Sequence, residues 1–204
     1  MVSGELLVGE NLQGFFFLPS FLFELLAFLC PMNITNFEFK AKTSHLSVQE
    51  KKLLTLNPVL IGEDNQTDTY FNVAEGRLKL REGNIENALI CYNREDSAGA
   101  KQSNIILYKH APDAALKEIL VKVHGIKVTI VKKRRIYFIE NVKFHFDKVE
   151  GLGEFIEVEA IDDSGSIGIE KLKQQCDQYI DFFGLQPQDF IKESYNDMLL
   201  AIIN

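Results

Sequence analysis

The chain has 204 residues, of which 46% are hydrophobic and 25% charged, a balance that fits one soluble globular domain with a real core. Its net charge of −7 comes from the ends: residues 160–204 hold eight acids and three bases, residues 1–31 three acids and no base, and the middle eighteen acids and nineteen bases. That distribution argues against non-specific nucleic-acid binding but leaves room for a local basic site, and three scattered cysteines without a C-x-x-C offer no zinc site and fit a reducing cytoplasm.

Residues 1–31 differ from the rest. The stretch GFFFLPSFLFELLAFLC is strongly apolar, but it is short against the ~20 residues of a membrane span. Pro19 and Glu24 interrupt it, and the positive leader of a secretory signal is missing. We read 1–31 as a leader outside the domain, a start placed too far upstream, with a weak membrane anchor as the alternative. Residues 32–204 then form a single domain.

From Met32 the pattern is mostly strands. TNFEFKAK (35–42) alternates, with Asn36, Glu38, Lys40 and Lys42 on one side and Phe37, Phe39 and Ala41 on the other. Ser47-x-x-Glu50 is a capping box that opens a helix. Residues 68–73 and 77–82 are strands about the turn Ala74-Glu75-Gly76, the second placing Arg77, Lys79 and Arg81 on one face. Residues 87–95 and 104–110 are further strands around a loop with Ser97 and Gly99. A helix spans 112–125, with Pro112 in its first turn and Gly125 as its stop. Residues 126–138 form a long strand. The pair in NVKFHFDKVEGLGEFIEVEA (141–160) sets Lys143, His145 and Asp147 on one face, then Glu157 and Glu159 on one face of its partner. Two helices close the chain, one from about Gly168 to Phe183 and one starting at Pro187.

About eight strands with short turns and few intervening helices predict an antiparallel closed barrel in an α+β fold. The polar strand faces carry almost only Glu, Asp, Lys and Arg. Lining a barrel interior, such charges need opposite charges, a metal or a ligand. Ser and His are too sparse for a hydrolase triad. Lys and Arg suit phosphate oxygens, and carboxylates suit Mg²⁺ or Mn²⁺. Together they point to a metal-dependent triphosphate site.

NFEFKAK resembles the E-x-E-x-K signature of the CYTH superfamily, the triphosphate tunnel metalloenzymes. RLKLR, KKRR and KFHFDKVEGLGEFIEVE resemble its later motifs in order, and ESYNDMLL its carboxy-terminal helix. The family includes class IV adenylate cyclases, thiamine triphosphatases and inorganic triphosphatases, on an eight-stranded antiparallel barrel with flanking helices. The resemblance implies Glu38, Glu157 and Glu159 as metal ligands supported by Asp147, with Mg²⁺ or Mn²⁺ as cofactor. It implies Lys40, Lys79, Arg81, Arg94, Lys132, Arg134 and Lys143 on phosphate oxygens, with Lys42 assisting, and Asp147, Lys143 and Arg134 in catalytic roles. The substrate would be ATP, thiamine triphosphate or inorganic triphosphate, in a cytoplasmic protein compatible with a homodimer and without nucleic-acid or membrane partners. Asn36 stands where the signature has its first Glu, which removes one negative charge from the site.

The motifs do not separate a cyclase from a hydrolase, and a non-catalytic polyphosphate- or nucleotide-binding module is the alternative. The run Lys132–Arg135 cannot share one face. Lys132 and Arg134 are expected inside, whereas a one-residue slip would select Lys133 and Arg135. His145 reads as a hydrogen-bonded wall residue, Tyr195 and Asp197 as structural. Phe37, Phe39, Phe144, Phe146 and Phe155 read as the packing shell between barrel and helices.

Overall fold

A computed structural model describes residues 32–93 and 101–203; residues 1–31, read above as a leader, and Arg94 lie outside the described residues. The strands are β1 (Met32–Lys42), β2 (Val59–Phe71), β3 (Arg77–Glu82), β4 (Ala88–Asn93), β5 (Lys101–Lys109), β6 (Ile126–Ile139), β7 (Val142–Val149) and β8 (Gly153–Asp162). They close into a barrel in the order β1-β5-β4-β3-β2-β6-β7-β8, every pair antiparallel. This is the eight-stranded barrel of an α+β fold that the alternation predicts. Four helices flank it: α1 (Leu46–Leu54), α2 (Ala114–His124), α3 (Ile169–Phe183) and α4 (Tyr195–Ile203). Among the described residues no helix is long and apolar enough to cross a membrane.

The outer barrel faces bury against the helices. On α3, Leu172, Cys176, Tyr179 and Phe183 recur at helical spacing and pack on Phe39, Phe144, Phe146 and Val158 of β1, β7 and β8. Phe144 meets Tyr179 edge-on with ring centroids 4.7 Å apart. Gly184, at φ 70°, ends the helix in the left-handed conformation that costs glycine least. Leu116, Leu120 and Val121 of α2 cover Leu78 and Leu80 of β3.

Several local expectations need correction. The Ser47 capping box does not form. Helix α1 starts at Leu46 with no side-chain cap, and the Glu50 carboxylate instead accepts Tyr137 Oη at 2.6 Å and Arg135 Nη1 at 2.9 Å on the barrel exterior. Pro112 precedes α2, whose cap is Asp113, accepting the Ala115 amide at 2.8 Å. Pro187 opens only a 3-10 turn, Pro187–Asp189; the last helix starts at Tyr195, where Ser194 and Asp197 bond reciprocally as a capping box. The strand expected from residue 68 begins at Val59.

One apolar cluster lies inside the barrel. Tyr70, Val128, Ile130, Val149 and Phe155 fill one end and pack on Leu152 and on Tyr195 of α4. Phe155 therefore belongs to this inner plug and not to the outer shell, because it pairs with Asp147 and Lys42 on the inward face. The segment before α4 is tied to the end of β1 by the Ile191 amide on the Lys40 carbonyl, 2.9 Å, and a bridge between Ala41 and Phe190. That tether brings α4 across the barrel end.

Candidate active site in the barrel interior

Strand parity decides which charges face inward, and sheet register decides which of them meet. In β6, Lys132 and Arg134 are buried while Lys133 and Arg135 are exposed, so the expected register holds. Arg134 lies opposite Asp147 of β7, His145 opposite Glu157 of β8, and Glu157 and Glu159 opposite Lys40 and Glu38 of β1. One ring of neighbouring strands thus gathers Glu38, Lys40, Glu157, Glu159, Lys143, His145, Asp147 and Arg134. On the facing wall, β3 presents Lys79 and Arg81 to β2.

Buried charges survive here by pairing. Arg134 Nε reaches Asp147 Oδ1 at 2.7 Å, and its Nη2 bridges Asp147 and Glu157. Lys40 Nζ takes the other Glu157 oxygen at 3.0 Å. Burial alone would raise the Glu157 carboxyl, but Lys40 and Arg134 hold it well below its ordinary range. Asp147 spends Oδ1 on Arg134 and Oδ2 on Arg134 and on the Tyr195 hydroxyl at 2.9 Å. In this geometry it positions Arg134. Burial and the Asp147 and Glu157 charges keep the Tyr195 hydroxyl protonated, well above 10. The Tyr195 ring also lies 3.9 Å from Lys40 Nζ, so α4 touches the site directly.

Lys42 stands apart: it is exposed at the covered end, over the Phe155 ring. The other described cations expected on phosphate all face the interior. Lys79, Arg81 and Lys132 converge on one carboxylate, Asp68, at 3.3, 2.9 and 2.8 Å. Burial would raise Asp68, but Arg81, Lys132 and Lys79 together hold it well below 3.8. Lys132 suffers the opposite effect. Burial first, then the crowd of Arg134, Arg81 and Lys79, brings its ammonium down to about 7 despite Asp68.

Sequence reasoning missed Asp64, Gln66, Asp68 and Glu86. Asp64, opposite Arg134 in register, accepts the backbone amides of Ile85 and Glu86, both at 2.9 Å, and Gln66 Nε2 at 2.7 Å. This folds the β3–β4 loop so that Glu86 dips inward. There it pairs with Lys143 and with Arg81 Nη1 at 3.0 Å. Gly83 makes the loop sterically feasible, since a Cβ there would sit 2.6 Å from the Asp64 carboxylate and 2.8 Å from the Glu86 carbonyl. Asp64 and Gln66 share the parity of Asp68 along β2; Glu86 has no periodic signal.

A candidate cation cradle also lies in the ring. The ligating atoms of His145, Glu157 and Glu159 lie within 4.8 Å of one another, and Glu38 faces Glu159 across the β1–β8 register. Burial, Arg134 and Lys143 lower His145 to about 3, so its imidazole is neutral. Burial, with Glu38 and Glu157 nearby, raises Glu159 to about 7 in spite of Lys143. Carboxylates crowded until one resists ionisation, beside a neutral imidazole, are a donor set that fits a divalent ion.

The family model of the CYTH domain matches residues 35–183. No curated protein matches the chain. Among solved structures, a conserved hypothetical protein from Pyrococcus furiosus is 24% identical, the match covering 79% of this chain and 98% of that one at a TM-score of 0.68. An adenylate cyclase candidate from Vibrio parahaemolyticus is 19% identical over 81% of this chain and 98% of its own, TM-score 0.65. HpAC1 from Hippeastrum, an adenylyl cyclase candidate described with a dominant triphosphatase activity, is 14% identical over 83% and 96%, TM-score 0.56. At these identities the likeness is one of fold.

Proposed function

Because the chain belongs to the CYTH domain family, we propose that it is a metal-dependent enzyme that cleaves a phosphoanhydride of a triphosphate. The observation that carries this reading is the paired interior: Lys40, Lys79, Arg81, Lys132, Arg134 and Lys143 meet carboxylates inside one closed barrel. A triphosphate has the charge to replace those carboxylates as partner for the cations. We place the activity in one domain, residues 32–204.

Glu38, Glu157 and Glu159 would hold the metal. When bound, it would polarise a phosphoryl oxygen and offset charge on the substrate. Lys40, Lys79, Arg81, Lys132 and Lys143 bind phosphoryl oxygens from opposite walls and hold the chain of phosphates extended. Arg134 is locked by Asp147 and Tyr195, so its guanidinium needs no reorganisation to stabilise charge on the leaving oxygen. The apolar plug and α4 exclude bulk water from one end. In hydrolysis, water oxygen bonds to phosphorus, the bridging P–O bond breaks, and its electron pair leaves on the departing phosphate, which takes up the proton.

One observation favours a second reading, a binding module without turnover. Asn36 replaces a carboxylate; its Oδ1 is buried without a partner and its Nδ2 lies 3.5 Å from Glu38. Phosphorus NMR of the protein with inorganic triphosphate or ATP, with Mg²⁺ or Mn²⁺, tests both. Orthophosphate and pyrophosphate from triphosphate, abolished by Glu157→Gln, is the expected result. Pyrophosphate and a cyclic phosphodiester from ATP would make it a cyclase. Shifted but intact resonances would leave the binding module, and a gain of turnover in Asn36→Glu would then trace the defect to Asn36.

A further inference from the structure

His145 is 1% exposed, yet neither ring nitrogen has a hydrogen-bond partner. A buried polar atom without a partner is costly, so two on one ring call for a physical reason. Its Nδ1 lies 3.5 Å from Glu157 Oε2 and 3.5 Å from Glu159 Oε1. A charge-assisted hydrogen bond to either would close to about 2.7–2.9 Å. Ligand atoms around a divalent ion with bonds of about 2.1 Å sit roughly 3.0–3.5 Å apart, so the two Nδ1–carboxylate spacings match shared coordination, within a group of ligand atoms that spans up to 4.8 Å.

The sheet builds this spacing. Glu157 is opposite His145, and Glu159 is the next inward residue of β8, so the ring reaches between two carboxylates. Lys40 occupies the far oxygen of Glu157 and leaves Oε2 on the His145 side, shared with Arg134.

We propose that His145 Nδ1, together with the Glu157 and Glu159 carboxylates, is a metal ligand, and that this nitrogen makes the site favour Mn²⁺ over Mg²⁺. The inference rests on the metal-dependent triphosphate reading and goes beyond the carboxylate ligands carried by the family motif. Mg²⁺ holds its waters tightly and selects oxygen, whereas imidazole nitrogen suits first-row transition ions. Ligation through Nδ1 also fixes the tautomer, leaving the proton on Nε2 as a donor.

Electron spin-echo modulation of Mn²⁺ on the full chain reads a directly bonded nitrogen without any turnover. Nitrogen coupling is expected with wild type, and its loss in His145→Gln. A variant with His45, His110 and His124 all changed to Gln keeps only His145 of the four histidines and is expected to retain the coupling, which covers the case of a misfolded His145→Gln. Mg²⁺ should displace Mn²⁺ about tenfold more easily from His145→Gln than from wild type. No nitrogen coupling in wild type, coupling that survives His145→Gln, or no Mn²⁺ binding would each overturn the proposal. Triphosphate binding by metal-free protein, followed by phosphorus NMR, separates the two failures. Retained binding without nitrogen coupling removes His145 alone; absent binding removes the triphosphate reading itself.

Discussion

Asp68→Asn removes one negative charge from beneath three buried cations. In wild type the carboxylate takes Arg81 at 2.9 Å, Lys132 at 2.8 Å and Lys79 at 3.3 Å. At an effective dielectric of about 20, each such contact is worth roughly 5 kcal/mol before desolvation. Desolvation cancels most of that sum, and breaking a buried pair from one side costs about 3–5 kcal/mol net. The amide can still accept one hydrogen bond, so we expect a loss near about 3 kcal/mol. For a chain of this size that lowers Tm by about 6–12 °C. The folded carboxyl sits well below 3.8, so the wild-type advantage is full above 3.8 and vanishes as pH falls through the folded value. The two proteins should therefore converge in acid. Thermal unfolding by circular dichroism, with and without saturating inorganic triphosphate, carries the second half of the argument. If the cations are a phosphate cradle, the polyanion replaces the lost charge and stabilises Asp68→Asn more than wild type. A drop below about 1 kcal/mol, or equal stabilisation of both proteins by triphosphate, would refute the reasoning.

Lys132 gives a pH signature. It loses its proton at about 7 in the fold against 10.5 when unfolded. Between those values the unfolded chain holds the extra proton, so this group's contribution to stability increases as pH rises from 7. A bound triphosphate restores the charge. Calorimetry in buffers of different ionisation enthalpy at pH 8 should show uptake approaching one proton per triphosphate, and the uptake should vanish in Lys132→Met. Glu50→Ala is the exterior control: it breaks the contacts to Tyr137 and Arg135, costs about 1 kcal/mol in denaturant unfolding, and leaves triphosphate affinity unchanged.

The sequence made legible the residues whose inner and outer faces differ in chemistry. On β1, β7 and β8 charged positions alternate with Phe, Val, Ile and Ala that pack on α1 and α3, so parity alone places Glu38, Lys40, Lys143, Glu157 and Glu159 inside. The first half of β2 defeats that logic. Glu63 and Asn65 are exposed and Thr67 half-buried, while Asp64, Gln66 and Asp68 are buried facing inward. Both faces are polar, the hydrophobic period disappears, and the strand reads as a loop. Glu86 is invisible for another reason. It reaches the interior only because Asp64, 22 residues away, captures two amides of its loop. The Ser47-x-x-Glu50 motif misled because Glu50 finds a guanidinium and a phenol 85 and 87 residues away, a stronger set of donors than the amide of a cap.

These misses share a consequence for function. Asp68 and Glu86 are the anions on Lys79, Arg81, Lys132 and Lys143, so these cations are neutralised by groups that the strand motifs do not contain. On the proposed function, each cation offered to a phosphate would first have to share or leave a carboxylate, and binding would be an exchange of partners in a low-dielectric interior. Affinity for triphosphate would then depend on Asp68 and Glu86 as much as on the lysines and arginines. Variants that remove a carboxylate should tighten polyanion binding while weakening the fold, and variants that remove a cation should weaken both.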